Sequence, residues 1–197
     1  HYPDYLENAL SNISFELKKG KTLGIIGKVG SGKTTLMSLL NKLYQVPDGK
    51  IFIDGVDINK IPLETIRENI CYITQDNFLF STSIKENITL FKDEYEKNEL
   101  QESIRDSMIY DEVEKMEDGL DTIIGERGIE LSGGQKQRVV VSRAFLKQSS
   151  IVIFDDTFSA LDNKTEEKVL QNIRRKMKDK TCIIISNRIS DVKQSDE

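Results

Sequence analysis

The stretch "GIIGKVGSGKTTLMSLL" (Gly24 to Leu40) constrains the fold more than any other part of the chain. An apolar, strand-like run leads into Gly27-Lys28-Val29-Gly30-Ser31-Gly32-Lys33-Thr34. A helical pattern follows, with Leu36, Leu39, Leu40 and Leu43 on one face and an end near Pro47-Asp48-Gly49. Strand, glycine loop and helix form the context in which the spacing G-x-x-x-x-G-K-[ST] holds phosphate. The glycines let backbone N–H groups approach phosphate oxygens, and the helix N-terminus adds a favourable partial charge. Lys33 is placed to reach β- and γ-phosphates and Thr34 to hold Mg²⁺. Gly27, Lys28, Gly30, Ser31, Gly32 and Thr35 complete the predicted nucleotide-binding set.

The flanking sequence supplies a sheet for this loop. "NISFELKKGKTLGIIG" alternates and then turns apolar around a Lys19-Gly20 turn, predicting two strands; "GKIFIDG" and "CYIT" predict two more. From Thr82 to Lys147 the chain is charge-rich and helical, with a capping box at Ser83-Ile84-Lys85-Glu86 and Leu100, Ile104 and Met108 at i, i+4 spacing. "SIVIFDD", "NKTEEKVLQNIRRKM" and "KTCIIIS" then read as strand, helix and strand. Continuous apolar strands alternating with helices imply a parallel sheet buried on both faces, here split by an inserted helical lobe. Asp155 closes the apolar run "IVIFD", where a carboxylate is costly without a cation or hydrogen bonds. Mg²⁺ beside the phosphate loop is the partner it predicts.

Composition narrows the function classes. With 28 Lys and Arg scattered along 197 residues and a net charge of -5, the chain lacks the basic clustering of a nucleic-acid surface. Cys71 and Cys182 sit far apart inside apolar runs, which reads as two core thiols rather than a disulfide or a metal site. The longest apolar runs fall far short of the roughly 20 residues that span a bilayer. His1 is the only histidine, so no internal chemical step has an imidazole to use.

"LSGGQKQR" (Leu131 to Arg138) opens another helix, with Ser132 and Gln135 spaced as a capping box and Gly133-Gly134 leaving backbone donors at a positive helix end. A second anion-suited glycine turn in a chain that already has one suggests a nucleotide held by another copy. "GKVGSGKT", "LSGGQ", "IVIFDD" and "SALD", in that order, resemble the nucleotide-binding domain of an ATP-binding cassette (ABC) transporter. "GERG" (Gly125 to Gly128) and "FLFSTSIKENI" after Gln75 resemble its exporter branch.

This resemblance implies an α/β fold: a P-loop NTPase (RecA-like) core with a mostly parallel sheet, a small antiparallel part near the N-terminus and an inserted helical subdomain. The expected boundaries are 1–77 and 148–197 for the core and 78–147 for the helical part. It further implies that two such domains sandwich two molecules of ATP with Mg²⁺. Each ATP would lie between one phosphate loop and the partner's Leu131, Ser132, Gly133, Gly134 and Gln135. By the same resemblance Tyr2 stacks on adenine, and Gln75 approaches Mg²⁺ and the attacking water beside Thr34 and Asp155. Ser159, Ala160, Leu161 and Asp162 match the loop that signals across the dimer. The implied partners are a second nucleotide-binding domain and a transmembrane domain on the same polypeptide, at the cytoplasmic face of a membrane; nucleic acid is not among them. The sequence begins and stops where the family has further strands, so a fragment of a longer polypeptide is expected.

Two positions depart from the family pattern. Asp156 stands where a water-orienting Glu is typical, and Asn187 stands where a histidine contacts the γ-phosphate. The Asp carboxylate is retracted by about 1.5 Å relative to Glu, and a misplacement of about 1 Å can cost about a hundredfold in rate. Asn187 has an amide donor but no positive charge. Both changes beside an intact "LSGGQ" point to a chain that holds ATP, turns it over slowly and completes a competent site on a different subunit bearing Glu and His. A homodimer hydrolysing at both sites with Asp156 as base is the second reading, and a non-transport ABC ATPase the third.

Overall fold

The computed structural model describes residues 10–92, 95–125 and 128–197. The chain divides into two compact units, the first comprising residues up to Tyr72, Ser149–Asp155 and Lys180–Glu197, the second Ile73–Gln148 and Asp156–Asp179.

In the first unit, β-branched runs build the sheet. β1 (Thr22–Ile26), β6 (Thr181–Ser186), β5 (Ile151–Asp155) and β4 (Ile70–Ile73) lie in the order β1-β6-β5-β4. β6 pairs in parallel with β1, Ile26 opposite Ser186, and with β5, Asp155 opposite Ile185. Val152, Ile153, Phe154 and Ile183–Ile185 are buried, as strands in mid-sheet require, whereas β1 at the edge is only half-buried. A separate antiparallel pair is formed by β2 (Phe52–Ile53) and β3 (Val56–Asp57). Met37, Ile58, Ile66, Ile70, Ile153, Ile183 and Ile185 form this unit's core.

The outer edge of β1 is bonded to the last residues: Gly24 N–H donates to Glu197 O (2.9 Å), Thr22 N–H to Asp196 Oδ2 (2.9 Å) and Asp196 N–H to Thr22 O (2.8 Å). A β-carbon on Gly24 would come within 2.8 Å of both Val192 Cβ and Ser195 Oγ. Only glycine lets this segment lie so close.

The second unit is helical: α3 (Ile84–Thr89), α4 (Lys97–Asp106), α5 (Tyr110–Val113), α6 (Gly133–Leu146) and α7 (Asn163–Lys176). Its core gathers Ile84, Ile88, Leu100, Ile104, Ile109, Val113, Ile124, Leu131 and Val139. The predicted boxes are present, Ser83 with Glu86 at α3 and Ser132 with Gln135 at α6. Arg175 Nη2 of α7 pairs with Asp106 Oδ1 at 2.6 Å, at the end of α4.

Three sequence expectations differ from the structure. The helix after the phosphate loop, α1, spans Lys33–Leu40 and excludes Leu43, which is 60% exposed. Lys42, at φ 53°, closes it in a Schellman turn in which Leu43 N–H donates to Ser38 O (2.9 Å) and Lys42 N–H to Leu39 O (3.0 Å). Met108, at φ 64°, closes α4 the same way, and Ile109 enters the core where Met108 was expected. Residues 10–18, read as a strand, carry no ladder, and Ile13 and Phe15 stay exposed; the two-stranded sheet pairs only with itself.

Candidate nucleotide-binding site

β1 delivers the chain into the phosphate loop and α1 carries it away. Gly30 (φ 81°) and Gly32 (φ 88°) adopt the left-handed conformation that other residues reach only with strain, and Gly32 is the N-cap of α1. A β-carbon on Gly27 would lie 2.8 Å from Ser31 Oγ, so the loop closes tightly here. α1 has no side-chain cap and no acidic residue in its first turn. Its positive end therefore carries no carboxylate from its own first turn, which suits an anion.

Lys33 Nζ donates to Gly27 O (2.7 Å), Lys28 O (2.9 Å) and Asn187 Oδ1 (3.2 Å). Asp155, 1% exposed at the end of β5, accepts from the Tyr72 hydroxyl through Oδ2 at 2.9 Å. Desolvation first, then the charge of Asp155, holds the Tyr72 phenol above its ordinary range, so it stays a donor at neutral pH. Sequence reasoning missed Tyr72: it lies 83 positions from Asp155 and only the pairing of strands brings them together.

These residues fit a nucleotide with Mg²⁺. Hard oxygen donors, the buried Asp155 carboxylate and the Thr34 hydroxyl, are what Mg²⁺ takes alongside substrate phosphates. Among the described residues no group of three or more His, Cys, Asp or Glu side chains could hold a metal ion by itself. Such an ion would share its ligands with phosphate and water.

In the second unit, Gln75 Nε2 lies 3.5 Å from Asp156 Oδ2, at the outer limit of hydrogen bonding. Asp156 takes φ 47°, a left-handed conformation that Asp tolerates better than most residues. Ser159, Ala160, Leu161 and Asp162 follow it, and Asp162 caps α7 by accepting from Lys164 N–H and Thr165 N–H, both at 3.1 Å. A residue not foreseen, Gln137, is 1% exposed on α6 and clamps this loop: its Nε2 donates to Ser159 Oγ (3.2 Å) and its Oε1 accepts from Ala160 N–H (2.9 Å). The only hint in sequence was its spacing from Gln135, two residues along a helix and thus on a different side.

The "LSGGQ" turn that opens α6 sits against the same loop. Ser132 Oγ accepts from Gln135 N–H (3.3 Å) while Gln135 Oε1 accepts from Ser132 N–H (2.9 Å). A β-carbon on Gly134 would lie 3.1 Å from Ala160 O, and one on Gly133 3.6 Å from Ala160 Cβ. Leu131 is buried in the helical core and anchors the turn. Tyr2 and the Glu126 and Arg127 of "GERG" lie outside the described residues.

The model of the family described as "ABC transporter" matches residues 10–159. The chain belongs to the ABC transporter family. It is 42% identical over 195 residues to a probable multidrug resistance ABC transporter ATP-binding/permease protein, YheI, of Bacillus subtilis, covering 99% of this chain and 33% of that protein. An ATP-dependent lipid A-core flippase of Pasteurella multocida is 39% identical over 192 residues, covering 97% of this chain and 33% of its own length. Among solved structures, a bacterial Atm1-family ABC exporter with ATP bound superposes with a TM-score of 0.92 at 36% identity, over 98% of this chain and 34% of that one. This ABC chain thus spans about a third of the length of the relatives it matches. None of its helices among the described residues is long and apolar enough to cross a membrane.

Proposed function

We propose that this chain is the ATP-binding part of an ABC exporter at the cytoplasmic face of a membrane, and that its own site binds Mg-ATP but hydrolyses it slowly. The observation that carries the reading is the uncapped start of α1 behind a two-glycine turn with Lys33 at its mouth. Gly27 to Thr35 would hold the phosphates, with Lys33 on the β- and γ-oxygens, and Tyr2 would stack on adenine. Thr34, Asp155 and Gln75 would hold Mg²⁺, which when bound neutralises charge on the phosphates. Asp155 is kept in place for this by Tyr72.

Slow turnover follows from the side chains left to handle water. Asp156 ends about 1.5 Å short of where a Glu carboxylate would reach, and Asn187 brings no positive charge to the γ-phosphate. Leu131, Ser132, Gly133, Gly134 and Gln135 would instead complete the site of a different subunit with Glu and His in place. Ser159 to Asp162 would carry the signal between subunits. A transmembrane domain on the same polypeptide is the further partner, consistent with relatives named ATP-binding/permease proteins. Residues 1–77 and 148–197 are proposed as the core and 78–147 as the helical subdomain.

A second reading, a homodimer hydrolysing at both sites, draws support from Gln75 Nε2 lying 3.5 Å from Asp156 Oδ2, which orients the shorter carboxylate. Steady-state Mg-ATP hydrolysis separates the two. The wild-type chain is expected to bind ATP with negligible turnover and the Asp156→Glu, Asn187→His double variant to gain at least tenfold, with melting midpoints checked because Glu tolerates φ 47° less well than Asp. Brisk wild-type turnover unimproved in the variant would hand the argument to the homodimer.

A further inference from the structure

We infer that Asn187 acts on the phosphate loop as a competitor of phosphate for Lys33, a positioning residue that weakens nucleotide binding rather than strengthening it. This rests on the ATP-binding reading above.

A lysine ammonium has three donors and no acceptor. In this structure all three are met by the chain itself: two by Gly27 O and Lys28 O at 2.7 and 2.9 Å, the third by Asn187 Oδ1 at 3.2 Å. A phosphate oxygen that accepts a hydrogen bond from Lys33 therefore has to displace one of them. The two carbonyls belong to the loop that wraps the nucleotide, and their bonds are the shorter. Asn187 makes the longest bond and is the only side chain of the three, so it is the one to yield.

The backbone puts the amide there. Because β1 and β6 run parallel with Ile26 opposite Ser186, the next residues, Gly27 and Asn187, leave the sheet side by side. The turn after β6 is pinned: buried Ser186 donates through Oγ to Asp191 Oδ2 (2.6 Å) and accepts from Arg188 N–H (3.0 Å). Since Lys33 can only donate, the amide must present its oxygen to it. In that orientation a partially negative carbonyl oxygen sits on the ammonium that a phosphate would otherwise take.

The sign of the effect distinguishes this role from that of a γ-phosphate ligand. Removing the carbonyl frees Lys33 for phosphate on ATP and ADP alike, whereas removing a γ-phosphate ligand weakens ATP alone. The test is the Kd of the 197-residue chain for Mg-ATP and Mg-ADP by titration calorimetry, for wild type, Asn187→Leu and Asn187→Asp. Position 187 is exposed, so both variants should keep the wild-type melting midpoint.

Asn187→Leu is expected to bind both nucleotides about threefold more tightly, the size of one net hydrogen bond at an exposed site. Asn187→Asp, which gives Lys33 a charged competitor and faces phosphate with a carboxylate, is expected to bind both about tenfold more weakly. Weaker ATP binding by Asn187→Leu with ADP unchanged would overturn the proposal, as would identical affinities in all three proteins. A wild-type chain that binds neither nucleotide would overturn the ATP-binding reading and this inference together.

Discussion

Helices α1 and α6 both start at glycines, yet they treat their first turns in opposite ways. α1 opens behind Gly32 at φ 88° with no side-chain cap, while α6 opens behind Ser132, whose hydroxyl and the Gln135 side chain satisfy each other's backbone donors. The glycines differ to match. Gly30 faces open space within 4 Å and is needed for its backbone angle; Gly134 has no such angle and meets only a tight approach, a β-carbon there lying 3.1 Å from Ala160 O. A helix start whose N-cap residue offers its backbone donors no side chain is suited to take up an anion by itself. One that has already spent two of them is suited to be a preformed, rigid surface whose ligand comes with the rest of its site supplied elsewhere.

The sharpest way to break this contrast is a pair of alanine substitutions. Gly30→Ala forces a β-carbon into the left-handed region and is expected to cost about 1–2 kcal/mol, with nucleotide binding lost in proportion as the loop shifts. Gly134→Ala should stay within about 1 kcal/mol of wild type, because better helix propensity offsets the tight contact. Urea unfolding of both variants checks this, and equal losses would mean that the two turns are held by the same constraint.

A smaller effect is expected at the cap. Ser132→Ala should cost about 1 kcal/mol in the same unfolding measurement, and α1 has no equivalent side chain to remove. If Ser132→Ala proves neutral, the first turn of α6 is not the self-satisfied element described above.

The smallest effect concerns the carboxylate that accompanies the phosphate loop. The folded-state Tyr72 phenol titrates above its ordinary value near 10, so its contribution to stability is complete below about pH 10 and is lost as pH rises further. Tyr72→Phe should therefore flatten the fall in stability between about pH 9.5 and 10.5 by about 0.5 kcal/mol, discounted for a half-buried group. The Cys182 thiol, pushed up to about 11 mainly by burial, makes its own alkaline contribution in both proteins and cancels from the difference.

Sequence made the two glycine turns legible because each carries a local chemical signature: a fixed spacing of glycines and lysine in one, a capping box in the other. The parallel strands were legible from β-branched runs such as Ile183–Ile185. What sequence hid was decided by groups far apart or by backbone angles. Both overrun helices, α1 and α4, end in Schellman turns whose left-handed residue is Lys42 or Met108 instead of glycine, so the usual stop signal was missing. Tyr72 beside Asp155, Gln137 beside Ala160 and Asn187 beside Lys33 depend on packing across dozens of residues, and no local pattern announces them.

The seam between Gly24 and residues 195–197 decides what the margin of the sheet can accept. β1 lies at the margin of its sheet, and an unpaired margin is a template on which another molecule's strand can grow. Here Asp196 and Glu197 occupy those backbone groups, seated through the notch that a glycine leaves. The absent side chain of Gly24 thus works as a keyhole: a larger residue there would unseat the segment that lies on β1 and leave those backbone groups open to another strand.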